Sequence, residues 1–382
     1  MSGAPVHFDL AGRLTLALED LDPEQARVAR SELDPFQGGD PGGAPDVVLA
    51  ARHGAEDGAR EIQGPAHDGT TTALEETGEL LVLAGTSACT VPSPPQPDAT
   101  PVRVGLEPGF PLRAAWAPVL RPVMQLALHA RGAAAVHAAA VEQAGRATLV
   151  AGWSESGKTE VALALVEAGA SFLSDKWTVV GDDGEASAFP VSVGVRGWVL
   201  PALPRLRSAL PLQARAQLAA AGAGRRLAAP LSRARPRSRL GDLASTAVAR
   251  AVALGDRAGL SPSELRAAYG QSDDPGRRLA LGTVVLLITA ADERIGVEEA
   301  DPAWAARRLV RTAAYERRAF AELQARAAYA GAQGRTEAWL EAVAREERLL
   351  ERALGQAERV VRVTCPFPGD PRRVVEALHV TG

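Results

Sequence analysis

Lysine is almost absent from this chain. Of its 42 basic residues only two, Lys158 and Lys176, are lysine, and arginine fills the other positions. A compact ammonium group and a planar guanidinium group are not interchangeable at a tight site, so the two lysines mark candidate positions that arginine does not fill. Both lie within the short stretch 158–176, where we therefore look first for a functional site.

The chain also lacks what several classes of protein require. Its two cysteines, Cys89 and Cys365, are too few for a disulfide scaffold or a zinc cluster. No run of about 18 uncharged apolar residues is present, and the segment MSGAPVHFDL has neither the basic nor the apolar part of a signal peptide. The net charge of −4 argues against nucleic-acid binding. We expect a cytoplasmic protein without a nucleic-acid or membrane partner.

The composition and patterning predict an α/β protein of two domains. Hydrophobic residues make up 46% and charged residues 23% of the 382 residues, the balance of a folded domain. Residues 1–110 are predicted to form a strand-rich N-terminal domain, with short apolar strands at 14–18, 47–50 and 80–83. Residues 111–382 are predicted to form the second domain. Its predicted elements are a helix at 117–131, a hairpin of 135–141 and 147–151, a helix at 158–168, strands at 171–173, 177–180, 283–289 and 360–364, and helices at 302–330, 335–354 and 370–378.

The strongest motif is a phosphate-binding loop. Residues 152–159 match the pattern GxxxxGK[ST] in full, between a predicted strand and a predicted helix. Glycines let backbone N–H groups surround phosphate oxygens, the helix N-terminus adds a positive partial charge, the lysine reaches the β- and γ-phosphates and the Thr hydroxyl binds Mg²⁺. The predicted nucleotide-binding residues are Gly152, Trp153, Ser154, Glu155, Ser156, Gly157, Lys158, Thr159 and the following Glu160.

An acidic residue follows close behind the loop. The strand predicted at 171–173 leads to Asp175, which is separated from Thr159 by only one predicted helix and this strand. Phosphoryl transfer to a hydroxyl requires a carboxylate beside the nucleophile, and a carboxylate is also a ligand for Mg²⁺. We predict Asp175 as the general base, with Thr159 and Asp175 as the metal ligands.

Three other features have two interpretations each. His137 lies in the apolar first strand of the hairpin and is either a hydrogen-bonded core residue or a group that faces the γ-phosphate. Trp153 either covers the nucleotide or packs beneath the loop, and the second is preferred. The arginine-rich segment 225–239 is either a loop that closes on phosphates or a solvated basic loop.

The block from His137 through the loop to Asp175 resembles the HPr kinase/phosphorylase family. That family has a His in the strand before the loop, a GKSE or GKTE ending, an Ala/Leu helix that ends in glycine and an acidic pair after the next strand. Here GKTEVALALVEAGASFLSDK follows the same layout. The resemblance covers the stretch 133–190. It departs from the family at Lys176, which replaces the second acid, and at Val195-Arg196-Gly197, which lacks the family's preceding glutamate.

The resemblance implies a compact P-loop kinase core related to ATP-dependent phosphoenolpyruvate carboxykinase, with ATP and Mg²⁺ as ligands and a tendency to form homo-oligomers. It implies that Asp175 accepts a serine hydroxyl proton, that Lys158 holds phosphate and that His137 supports the site. The departures argue against HPr as substrate. The sequence thus predicts a kinase that phosphorylates Ser or Thr of a peptide or protein. The alternatives are a small-molecule kinase and a non-catalytic nucleotide-binding regulator.

Overall fold

The computed structural model describes residues 5–40, 42–52, 60–65, 69–75, 78–95, 101–218, 257–292 and 294–380, which form a mixed α/β structure with two large sheets. The arginine-rich segment 225–239 lies outside these residues. Within the described ranges no helix combines the length and apolarity needed to cross a bilayer.

The first sheet is built entirely from residues before position 110. Its nine strands run in the order β3-β1-β2-β4-β9-β8-β7-β6-β5. The strands are β1 (Val6–Asp9), β2 (Thr15–Glu19), β3 (Gln37–Gly38), β4 (Val47–Ala51), β5 (Arg60–Gln63), β6 (Thr71–Glu75), β7 (Leu80–Ala84), β8 (Ser87–Val91) and β9 (Val102–Leu106). The three strands predicted from the sequence are present here, within about one residue of their predicted ends.

The second sheet carries the phosphate-binding loop. Its main path is β10-β14-β15-β18-β12-β11-β13, and β20 joins it at β18 and carries β19. These strands are β10 (Ala133–Val136), β11 (Ala138–Gln143), β12 (Arg146–Gly152), β13 (Ser171–Ser174), β14 (Thr178–Gly181), β15 (Glu185–Ala188), β18 (Arg278–Thr289), β19 (Gly296–Glu299) and β20 (Arg359–Cys365). A separate ribbon pairs β16 (Val193–Arg196) with β17 (Arg257–Leu260).

Helices cover both faces of the second sheet, and one further helix, α1 (Pro23–Leu33), precedes them in the chain and packs beside the first sheet. The later helices are α2 (Leu112–Ala115), α3 (Arg121–Ala127), α4 (Lys158–Glu167), α5 (Pro204–Ala209), α6 (Pro262–Ala268), α7 (Pro302–Glu316), α8 (Arg318–Tyr329), α9 (Arg335–Leu354) and α10 (Pro371–Val380). Helices α4 and α10 pack in one buried cluster with β11, β12 and β20. Helices α7 and α9 pack in another, on the opposite face.

Three parallel strands end at one edge of the second sheet. Strand β12 runs parallel to β18, with Gly152 opposite Leu287, and β18 runs parallel to β20, with Thr289 opposite Cys365. The strand predicted at 283–289 is the carboxyl-terminal part of the longer β18. Ligands of α/β sheets bind at the carboxyl ends of such strands, and the phosphate-binding loop begins at this edge.

The structure differs from the sequence prediction at His137. The first hairpin strand was predicted to run through this residue, but His137 lies between β10 and β11. Strand β10 pairs with β14, whereas β11 pairs with β12 and β13. The chain therefore changes sheet neighbours at His137, because the apolar run 133–141 is shared between two sets of partners.

Two predicted helices are also more irregular than expected. The helix predicted at 117–131 begins at Leu112, passes through a π-helical turn at Trp116–Leu120 and ends in a 3₁₀ turn at Leu128–Arg131. Gly132, with φ of 65°, ends it. The helix predicted at 302–330 is broken at Arg317 into α7 and α8.

One buried cluster joins the two predicted domains. It contains Phe8 and Leu16 of the first sheet, Trp116 of the helical segment, Trp177 beside β14 and Phe320 of α8. The predicted boundary at 110 falls between β9 and α2, but the core continues across it. The first sheet is therefore packed directly against the part of the molecule that carries the loop.

Candidate active site

The loop at residues 152–157 begins and ends with glycines in conformations that favour glycine. Gly152 and Gly157 have φ angles of 155° and 94°, which L-residues with side chains rarely adopt. A β-carbon at position 152 would lie 2.8 Å from the carbonyl oxygen of Leu287, so only glycine fits beside β18. Gly157 starts α4 without a side chain to cap it, which leaves the first N–H groups of the helix available to a ligand.

Lys158 occupies the interior of the loop. Its side chain is buried, and Nζ donates hydrogen bonds to the carbonyl oxygens of Gly152 at 3.2 Å and Trp153 at 2.7 Å. Burial lowers the pKa of Lys158 to about 8, although Asp175, Glu316 and Glu160 act in the opposite direction. The ammonium group is therefore still mostly charged at neutral pH, where it could bind an anion.

Thr159 and Asp175 meet at the base of the loop. The Thr159 hydroxyl donates a hydrogen bond of 2.7 Å to Oδ1 of Asp175, which comes from the segment after β13. Asp175 is only 2% exposed, and burial raises its pKa against the opposing effects of this hydrogen bond and of nearby Arg257 and Lys158. Its second oxygen, Oδ2, has no hydrogen-bond partner among the described residues.

His137 is buried close to these groups. Its ring lies 5.3 Å from that of Trp177, and Nδ1 is 3.8 Å from Oε1 of Glu316. Burial, together with the charges of Lys158 and Lys176, lowers the pKa of His137 to about 3. The imidazole is therefore neutral, so its approach to Glu316 is not a salt bridge. Nδ1 has no hydrogen-bond partner in the described part of the chain.

A pocket of about 180 Å³ opens between these residues. Its lining includes the four cations Lys158, Lys176, Arg196 and Arg257. It also includes the acids Glu155, Glu160 and Glu316, together with His137, Thr159 and parts of the loop. Four cations and three carboxylates therefore line the pocket, which leaves a small excess of positive charge to attract an anion.

Two arginines of this pocket face each other across the β16–β17 ribbon. Arg196 pairs directly with Arg257 in register, and like charges at such positions repel. Arg196 is offset by Glu155 at 2.9 Å and lies 3.9 Å from Glu160, whose pKa is raised by burial. Arg257 has no carboxylate partner among the described residues, and its side chain lies across Gly194, where a β-carbon would collide with the guanidinium.

Lys176, which also lines the pocket, has a strained backbone conformation. Its φ is 62°, in the left-handed region that non-glycine residues seldom occupy. Burial, together with Arg121 and Arg257, lowers the pKa of its side chain. Strain of this kind costs about 1–3 kcal/mol and collects at functional positions, so Lys176 is better explained as part of the pocket than as a solvated surface lysine.

Trp153 does not pack beneath the loop. The side chain is 52% exposed, and its ring lies 4.8 Å from that of Tyr315 at the end of α7. The preferred sequence interpretation is therefore wrong for this residue. The physical reason is that the space below the loop is filled by the side chain of Lys158 and by β18.

The structure brings the predicted residues together and adds others. Lys158, Thr159, Glu160, Asp175 and His137 all lie at this pocket or directly below it. Sequence reasoning did not single out Arg257 or Glu316 as site residues, and neither carries a local motif. The described residues hold no group of three or more His, Cys, Asp or Glu side chains that could bind a metal by themselves.

Comparison with known proteins adds no assignment. The chain matches no protein-family model and no curated protein. The chemistry of the pocket therefore has to be inferred from its own residues.

Proposed function

We propose that this protein is an ATP-dependent phosphotransferase that moves the γ-phosphate of ATP to a hydroxyl group. In this proposal residues 111–382 form a compact P-loop kinase core of the HPr kinase and phosphoenolpyruvate carboxykinase kind. The strand-rich residues 1–110 pack against it.

One observation carries the proposal: the contact between Thr159 and Asp175. A phosphate-binding loop alone is compatible with many nucleotide-binding proteins. Here the hydroxyl of the last loop residue donates a hydrogen bond to a buried carboxylate whose other oxygen has no partner among the described residues. P-loop NTPases in general hold Mg²⁺ with a loop hydroxyl and an Asp, and a hydroxyl kinase in addition needs a carboxylate oxygen to accept the proton of the acceptor. The unpartnered Oδ2 of Asp175 is the atom that supports this second task.

The residues present fit a magnesium nucleotide. At this site three buried polar atoms lack partners among the described residues: Oγ of Ser156, Oδ2 of Asp175 and Nδ1 of His137. Buried polar atoms of this kind cost free energy unless a ligand satisfies them. Thr159 and Asp175 would hold Mg²⁺, which usually takes one or two protein oxygens and completes its shell with phosphate oxygens and water. Bound Mg²⁺ neutralises charge on the phosphates.

Each residue then has a definite task. Lys158 and the N–H groups at the start of α4 bind the phosphates. Oδ1 of Asp175 would stay with Thr159 on the side that holds Mg²⁺, which leaves Oδ2 to accept the proton of the acceptor hydroxyl. The raised pKa of Asp175 makes it a stronger base than an ordinary carboxylate once it is ionised. Neutral His137 donates or accepts one hydrogen bond and adds no charge.

The acceptor is a Ser or Thr side chain of a peptide, or the hydroxyl of a small molecule. A specific observation favours the small molecule: a cavity of about 470 Å³ adjoins the loop. This volume falls within the usual range for small-ligand sites. The experiment below also tests the third alternative, a non-catalytic nucleotide-binding regulator, against the peptide kinase and the small-molecule kinase.

The test is a single-turnover incubation with γ-labelled ATP and Mg²⁺, with pooled peptides in one arm and a metabolite extract in the other. The wild type is compared with Asp175→Asn and with the matched control Asp274→Asn, whose side chain is exposed. We expect Asp175→Asn to lose about 10²–10⁴-fold in transfer, the usual contribution of a general base, while it still binds ATP. The control should transfer label like the wild type.

Two results would contradict the proposal. One is tight ATP binding by the wild type with no label in either arm, which is the behaviour of a nucleotide sensor. The other is transfer that is equally fast in Asp175→Asn, which would remove Asp175 as the base.

A further inference from the structure

A second, larger cavity lies beside the phosphate-binding loop. It is an open cleft with a volume of about 470 Å³, bordered by the first half of the loop, the carboxyl end of β18 and helix α7. Its lining includes Ser154 and Ser156, which also line the phosphate pocket. Of the two cavities, Lys158 and Thr159 line only the smaller one. A molecule in the larger cavity would therefore lie next to the bound phosphates and not in their place.

Helix α7 presents three arginines to this cavity. Arg307, Arg308 and Arg311 all line it, and no Asp or Glu of the described residues does. Arg307 lies 3.9 Å from Glu351, whereas Arg308 and Arg311 have no carboxylate partner within the described ranges. All three side chains are exposed at the cavity, and like charges three and four residues apart destabilise a helix. Arg308 also stacks on Trp304 of the same helix, whereas Arg311 has no such contact within the described ranges. An anionic ligand in the cavity would offset the repulsion among these charges.

The remaining walls are apolar and aromatic. Leu286, Ile288 and Leu309 supply an aliphatic surface. The rings of Trp153 and Trp304 also face the cavity, and the guanidinium of Arg308 lies 4.6 Å from the centre of the Trp304 ring. Aromatic faces and guanidinium planes are suited to flat or apolar groups that carry negative charge.

We propose that this cavity binds the acceptor, and that the acceptor is a small hydroxyl compound with an apolar part and an anionic group such as a carboxylate or a phosphate. The inference rests on the proposed function, since an acceptor exists only if the protein is a kinase. The arginines of α7 bind the anionic group, and the hydroxyl reaches the phosphate pocket past Ser154 and Ser156, which line both cavities.

A pair of dyes probes the cavity directly. Anilinonaphthalene sulfonate is aromatic and anionic, and N-phenyl-1-naphthylamine is its neutral analogue. Binding of each dye is followed by its own fluorescence and by energy transfer from tryptophan, in the full chain with and without saturating ATP and Mg²⁺. The variants are Arg308→Gln with Arg311→Gln, and the charge-matched control Arg30→Gln with Arg348→Gln, two exposed arginines outside the cavity.

We expect the wild type and the control to bind the anionic dye at least tenfold more tightly than the neutral one. The cavity variant should lose this preference while it binds ATP like the wild type. Equal affinity for the two dyes in the wild type, or a preference that survives in the cavity variant, overturns the anion site. Displacement of the anionic dye by ATP overturns the acceptor assignment, because the cavity would then hold the nucleotide.

The same samples separate this inference from the proposed function. A wild type that keeps the dye preference but transfers no label to any pool refutes the kinase and the acceptor assignment together. A wild type that transfers label only to neutral compounds keeps the kinase and overturns the anionic acceptor. Label that appears only in anionic compounds, and falls at least tenfold in the cavity variant, supports both.

Discussion

A buried histidine without a hydrogen-bond partner among the described residues should make this protein sensitive to mild acid. His129 lies in the 3₁₀ turn at Leu128–Arg131 and is only 5% exposed. Both of its ring nitrogens lack hydrogen-bond partners among the described residues. Burial, reinforced by the positive charges of Arg317 and Arg345, lowers its pKa from 6.5 to about 3. The perturbation that tests this is His129→Leu, which removes the titrating group and leaves an apolar side chain.

The sign and size of the effect follow from the two pKa values. Between pH 6.5 and pH 3 the unfolded chain binds a proton at His129 that the folded chain does not, so stability falls as the pH falls. The contribution is fully present above pH 6.5. At pH 5 the loss is about 1.5 pH units multiplied by 1.36 kcal/mol, or about 2 kcal/mol from this residue. His137, whose pKa is also lowered to about 3, adds a similar loss that His129→Leu leaves unchanged.

The assay is the free energy of unfolding from urea titrations at pH 7.5 and pH 5.0. Between these pH values the wild type should lose about 2 kcal/mol more than His129→Leu does. The exposed residue His379 provides the control, since His379→Gln should lose as much stability as the wild type. If His129→Leu and the wild type lose the same stability on acidification, then His129 is not held neutral by burial and the reasoning fails.

Three further substitutions test the core and the loop. Glu346→Gln leaves the buried guanidinium of Arg317 without its carboxylate partner and should cost about 3–5 kcal/mol in urea titrations; a loss below about 1 kcal/mol would mean that water reaches the pair. Lys158→Arg places a longer, planar group where Nζ now contacts two loop carbonyl oxygens. The affinity for ATP, measured by equilibrium dialysis, should therefore fall at least about tenfold while the fold stays intact. If the variant binds ATP as tightly as the wild type, the argument drawn from the scarcity of lysine is contradicted. Gly157→Ala imposes a φ of 94° on alanine and brings a β-carbon within 3.2 Å of the Phe367 ring, so thermal stability should fall by about 1–2 kcal/mol. An unchanged melting temperature would show that the loop can adopt another backbone.

The local parts of the site were predictable from the sequence. The order strand, loop, helix, glycine from β12 to Gly169 depends on short-range patterns, and the structure has each element within about one residue of its predicted position. The position of Asp175 after the next strand followed from the same pattern. These features are encoded by consecutive residues, so no knowledge of distant pairing was needed.

The rest depends on contacts between distant parts of the chain. His137 was placed inside a strand because the apolar run 133–141 is continuous, and only the separate pairing of β10 with β14 reveals the break. Arg257 reaches the pocket because β17 pairs with β16, which lies far before it in the sequence. The three arginines of α7 resemble any solvated helix face until β18 is placed opposite them. Sequence periodicity carries none of this information.

The position of Trp177 has a consequence for how the molecule unfolds. Its side chain is buried in the cluster that also contains residues of the first sheet, and it contacts His137 while following Asp175 closely in the chain. Because of this shared packing, we expect the pocket and the first sheet to unfold together as one cooperative unit. A ligand that binds only the folded form stabilises such a unit as a whole. Backbone amides of β2 and β4, far from the loop, should then exchange with deuterium more slowly when ATP is bound.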